Sequence, residues 1–152
     1  LETGVLQAVD AVAGFAKQLK SQAVVFAAAQ DFVPSKKTKP QLKEFIKHVA
    51  KRVPHAVLDL PGWSNKELRA VVGTAPVHIA FDPLEEQPDV KSLAYLRLPG
   101  PSGYRSRYDA AALERVVEYC EASSAKHTFV AFRNIDRYEN ARTVMGKLGV
   151  TK

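Results

Sequence analysis

Between residues 93 and 109 the chain gathers the side chains best suited to hold an anion or a planar ring. Arg97 falls inside an apolar strand pattern, Leu93-Ala94-Tyr95-Leu96-Arg97-Leu98, where a charge is costly unless it is paired or aimed at a ligand. Two compatible roles are expected of it: fork-shaped binding of a carboxylate or phosphate, and an ion pair with Asp82 from the neighbouring strand. Tyr104, Arg105, Arg107 and Tyr108 then interleave aromatic rings with guanidinium planes, a combination that stacks bases and holds phosphates, although it also makes an ordinary solvated loop. Asp82 precedes Pro83 at a strand end and has the chemistry of a general base, but no carboxylate partner for acid–base work is visible. Together with Asn134 at the end of the last strand, Asp82, Arg97, Tyr104, Arg105, Arg107 and Tyr108 form the candidate ligand-binding set. No catalytic residue is assigned, because no nucleophile elbow, phosphate-cradling glycine loop or HExxH pair occurs.

A second candidate surface is electrostatic. Lys36, Lys37, Lys39, Lys43, Lys47, Lys51 and Arg52 face only Glu44, a local net charge of +6 that equals the excess of the whole 152-residue chain. Such a row suits nucleic acid, phosphate or an acidic partner, and it is equally the composition of a solvated helix face. The four histidines, His48, His55, His78 and His127, are scattered, so no metal site is expected, and no cofactor motif appears. The single cysteine, Cys120, forms no intrachain disulfide and suits a reducing, cytoplasmic location. The longest apolar run, Ala23 to Ala29, is far short of the roughly 20 residues of a membrane span, so no membrane partner is expected.

The elements that must position these groups follow from periodicity. Val5, Val9, Val12, Ala16 and Leu19 recur at helical spacing and predict a helix over 3–20. Continuous apolar runs predict strands over 23–29, 55–60, 77–81, 93–98 and 127–133, the first of them covered on both faces. Helices are expected from Thr38, from Ser64, from Asp109 and from Asp136, with capping boxes at Thr38-Lys39-Pro40-Gln41 and Ser64-Asn65-Lys66-Glu67 and with Asp136 and Glu139 capping the last. Trp63, after Pro61-Gly62, reads as a packing anchor. Strands alternating with helices imply one α/β domain over residues 1–152, with a mainly parallel sheet and helices outside it. Five strands are too few for a closed eight-stranded barrel, which needs about 250 residues, so the expected architecture is a partial, half TIM-type barrel.

The string Tyr95-Leu96-Arg97-Leu98-Pro99-Gly100, followed by Gly103-Tyr104-Arg105-Ser106-Arg107-Tyr108-Asp109 and Ala112-Leu113, resembles the late strand and loop of the YecE-like family, the domain of unknown function number 72. Val77 to Pro83 resembles that family's strand ending in Asp-Pro, and Phe129 to Asn134 its final strand ending in asparagine. The resemblance implies the C-terminal part of a TIM-type barrel of unestablished activity. The family usually carries Gln where this chain has Ala27, Glu and Arg where it has Leu58 and Leu60, and His where it has Pro99, so polar groups at strand ends are replaced by apolar ones.

Three functions remain in view. The first is a non-catalytic, degenerate barrel domain that assembles with itself or with a partner protein covering open sheet edges. The second is a nucleic-acid or phosphate-binding module using the basic face and the Tyr/Arg loop. The third is a hydrolase-like enzyme with Asp82, Arg97 and Asn134 at its mouth, and the loss of strand-end polar groups counts against it.

Overall fold

The protein is described by a computed structural model covering residues 2–150, and its helices and strands alternate except that the fourth strand follows the third directly. In order they are α1 (Thr3–Gln18), β1 (Val24–Ala27), α2 (Thr38–Val49), β2 (Ala56–Asp59), α3 (Asn65–Val72), β3 (Val77–Ile79), β4 (Leu93–Leu98), α4 (Ala110–Ala122), β5 (His127–Phe132) and α5 (Arg137–Lys147). All strand pairing is parallel. The chain divides into two compact units, residues 1–79 and 80–152.

The first unit holds a three-stranded sheet in the order β1-β2-β3, with Val24 opposite Ala56 and Ala56 opposite Val77. Alternation sends Ala56, Leu58 and Val77 to one face. There they pack beneath α2 and α3 with Leu42, Ile46, Val49 and Leu68, all almost fully buried. The β2 core is fully enclosed, whereas β1 is only half-buried and Ala27 is exposed, so its apolar run is not covered on both faces as expected. Trp63 is buried against Phe32, with ring centroids 5.8 Å apart, as a packing anchor should be.

Helix starts show which capping signals the backbone uses. At α3 the expected box forms: the Ser64 hydroxyl accepts from the Glu67 N–H, and the Glu67 carboxylate accepts from the Ser64 N–H. At α2 the box does not form. The Ser35 hydroxyl instead accepts from the N–H groups of Lys37 and Thr38, and the Thr38 hydroxyl donates 2.7 Å to the Val33 carbonyl. Ser35 reaches the orphan donors first, from an ST-turn one step upstream.

In the second unit β4 and β5 pair along their whole length, from Leu93 opposite His127 to Leu98 opposite Phe132. The stretch expected as one strand over 77–81 splits. Ladder pairing with β2 ends at Ile79, and Phe81 bridges in parallel to Leu96, exchanging hydrogen bonds with Tyr95 and Arg97. Ala94, Leu96 and Leu98 face α4, where Tyr119 packs with Ala94 and Leu96 and where Val116 and Val117 pack with Leu98, and Cys120 sits half-buried between the two apolar clusters. Asp109 caps α4 by accepting the Ala112 N–H at 2.7 Å. Asp136 makes no such cap bond on α5, because its carboxylate faces the Arg107 guanidinium 3.4 Å away.

Candidate functional site

The loop after β4 is built around a tight turn. Gly100 adopts a φ of 103°, and its N–H donates 2.7 Å to the Tyr108 hydroxyl, so the loop is stitched to the start of α4. The Ser106 hydroxyl donates to the Gly103 carbonyl at 2.6 Å and accepts from the Ser102 N–H at 2.9 Å. Tyr108 is therefore a buried strut of this loop. Burial, with Asp82 and Glu85 adding negative potential, pushes its phenol up to about 12, which keeps the hydroxyl neutral and fixed on the turn.

A second loop docks on the first. Asn134, fully buried, donates from its amide nitrogen to the Ser106 carbonyl at 3.2 Å and accepts at its oxygen from the Asn140 amide at 3.1 Å. Asn134, taken from the sequence as a mouth residue, thus spends both ends of its amide joining the β4–α4 loop to the β5–α5 loop. What this join exposes is a cluster of rings and cations. Arg137 Nη1 donates to the Tyr104 hydroxyl at 3.4 Å, and its guanidinium carbon lies 5.0 Å from the centre of the Tyr138 ring. Tyr104 and Tyr138 are 56% and 73% exposed, and Arg105 and Arg107 are exposed beside them in the loop. Arg137, Tyr138 and the buried Asn140 were not singled out from the sequence. An Arg-Tyr pair directly after the Asn134-Ile135-Asp136 loop is the signal that could have found the first two.

Asp82 sits apart from these rings, in an open cavity of about 480 Å³ lined by Leu84, Glu85, Gly100, Arg107, Tyr108 and Arg115. Its carboxylate is buried and accepts the Leu84 N–H at 2.9 Å. Burial raises its pKa above the ordinary carboxylate range. The Leu84 hydrogen bond opposes the rise, Glu85 adds to it, and Arg97 and Arg115 lower it by smaller amounts. Arg97 therefore acts on Asp82 as one of several charges. Arg97 shares its face of the sheet with Tyr95, opposite the face that meets α4.

This shift fixes the sign of a pH dependence. The native protein holds the Asp82 proton more tightly than the unfolded chain does, so stability falls as pH rises from about 4 through the raised native value. Asp82→Asn keeps an oxygen for the Leu84 N–H and removes the charge. The variant is expected to be more stable than wild type at neutral pH in urea unfolding, with the two curves converging near about pH 4. A variant less stable at neutral pH would contradict this account.

In the first unit the basic residues Lys36, Lys37, Lys39, Lys43, Lys47 and Lys51 are all exposed. Arg52 is drawn off the row by Asp10, whose carboxylate also meets His48 Nε2 at 2.9 Å. The strand end of β2 carries a fully buried Asp59, an acid set between Leu58 and Leu60 in an otherwise apolar strand end. Among the described residues no helix is long and apolar enough to cross a membrane.

No family model and no curated protein matches the sequence. The fold does match. Two crystal structures of a DUF72 family protein from Enterococcus faecalis V583, at 3.10 Å and 2.52 Å, superpose with TM-scores of 0.70 and 0.65 at 16% and 19% identity. The superpositions cover 97% and 90% of this chain and 67% and 65% of the Enterococcus chains, so this chain spans about two thirds of their length. The fold is thus that of the family whose strand and loop the sequence resembles.

Proposed function

We propose that the chain is a non-catalytic, degenerate YecE-like domain, built as part of a TIM-type barrel, that works by associating with a second copy of itself. The observation that carries this reading is the outer face of α1. Val9 turns inward to join Val49 and Val53, yet Val5, Ala8, Val12, Phe15 and Leu19, spaced three and four residues apart, form a second apolar stripe on the outside. Phe15 is 64% exposed and Leu19 76%. Positions at that spacing make the seam of paired helices.

Charge favours a second copy as the occupant. The chain carries +6 overall, but residues 3–18 hold only Asp10 and Lys17, and the residues flanking the stripe, Gly4, Ala11 and Gln18, are uncharged. Two copies related by a two-fold axis meet here without opposing like charges. Apolar residues at Ala27, Leu58, Leu60 and Pro99, where YecE-like proteins usually carry polar ones, support a role without catalysis. Light scattering at micromolar concentration is expected to give a dimer. The pair Phe15→Glu and Leu19→Glu should convert it to a monomer with an unchanged circular dichroism spectrum. A monomeric wild type, or a variant that remains dimeric, would overturn the reading.

A second reading is supported by the Tyr104–Arg137–Tyr138 cluster. Exposed rings flanking a guanidinium, with Arg105 and Arg107 beside them, suit a single nucleic-acid strand whose bases stack while its phosphates meet the arginines.

A further inference from the structure

Twenty-two residues lie between His55 and His78 in the sequence, and nothing in their spacing relates them. The fold does. Parallel pairing places His78 opposite Val57, so His55, just before β2, lies beside it on the neighbouring strand. His55 Nδ1 is 3.4 Å from His78 Nε2, and the ring centroids lie 5.6 Å apart with planes 27° from parallel.

That separation has a chemical meaning. Two imidazole nitrogens each about 2.0–2.1 Å from one tetrahedral ion stand about 3.3 Å apart, close to the 3.4 Å between these two. We propose that His55 Nδ1 and His78 Nε2 form a two-histidine site for a divalent transition-metal ion of the zinc, copper and nickel class. The rings now point at each other through a shared hydrogen bond, and re-aiming both toward one ion needs only rotation about χ2, a broad torsion in histidine. No group of three or more histidine, cysteine, aspartate or glutamate side chains is placed to hold a metal among the described residues. Water, or a donor from another molecule, completes the shell.

Two further observations agree with this role. His55 holds a φ of 54°, a left-handed backbone that costs a non-glycine residue energy and that concentrates at functional positions. The Val24 N–H donates to the His55 carbonyl at 3.3 Å, tying that residue to β1. His78 is half-buried, which holds its ring beside that of His55.

The test uses the untagged chain and zinc chloride as the probe. Calorimetric titration near neutral pH is expected to show one zinc per chain, with a matching rise in the thermal midpoint. His55→Gln and His78→Gln should each weaken binding at least about tenfold, since each removes a metal ligand outright. His127→Gln, on an exposed histidine elsewhere, should leave it intact. His55 is exposed, so its replacement folds even if the half-buried His78 does not tolerate change. In the wild type, zinc should shift the ring-proton resonances of His55 and His78 together and leave those of His127 in place. Absence of zinc binding, or binding that survives His55→Gln, would overturn the proposal. Neither result depends on whether the chain associates through α1.

Discussion

Gly100→Ala is expected to destabilise the protein by about 3 kcal/mol, combining the strain of a side chain at positive φ with overpacking. At φ 103° a Cβ on this residue would collide with the Gly103 carbonyl oxygen and come within 2.6 Å of the Ser106 hydroxyl. The first obstacle is backbone, so it cannot rotate aside. The second is the hydroxyl that closes the turn by bonding Ser102 and Gly103. Relaxing the clash therefore opens the turn and also pulls the Gly100 N–H from the Tyr108 hydroxyl, leaving a buried donor without its acceptor. Urea unfolding measures the loss; a change below about 1 kcal/mol would show that the loop accommodates a side chain and that the turn is not the pivot described.

Replacing Tyr104 and Arg137 with alanine together is expected to lower affinity for a fluorescent single-stranded oligonucleotide at least about tenfold, since each base stacked on an aromatic ring contributes roughly 1–3 kcal/mol. Arg137 is the shared element: it bonds the Tyr104 hydroxyl and lies over Tyr138, so its loss removes a cation and also frees both rings to reorient. Binding by wild type should fall steeply with added salt, as phosphate contacts release counterions. A double variant that binds as tightly as wild type removes this surface from consideration. Wild type that shows no binding at low salt removes the nucleic-acid reading as a whole and leaves association through α1 standing.

The parts of the fold that the sequence displayed are those in which one local signal met no competitor. β4 runs over Leu93–Leu98 as expected because Pro99-Gly100 ends it, and α4 begins at Ala110 because Asp109 has a free oxygen and no rival for the Ala112 N–H. Where two groups competed, the local signal failed. The Ser35 hydroxyl took the Lys37 and Thr38 N–H groups and no capping box formed at Thr38, and Arg107 faced Asp136 at the start of α5. Tyr108 and Asn134 were recognised as polar groups near a loop, but their direction, inward to Gly100 and to Ser106, depends on how two loops separated by a helix and a strand come together. The His55–His78 pairing is a matter of strand register, which one-dimensional spacing does not contain. Asp59 was hidden by its neighbours, since an acid flanked by Leu58 and Leu60 keeps the look of a core strand.

Cys120 has a consequence of its own. It is the only thiol in the chain, it lies half-buried on α4, and burial raises its pKa, so under native conditions it should be slow to react with an alkylating reagent. The pace at which it becomes labelled is then a clock for the breathing of α4 away from its sheet. That one unmodified side chain lets the loosening of the second unit be timed without adding any dye site or touching the loops above it.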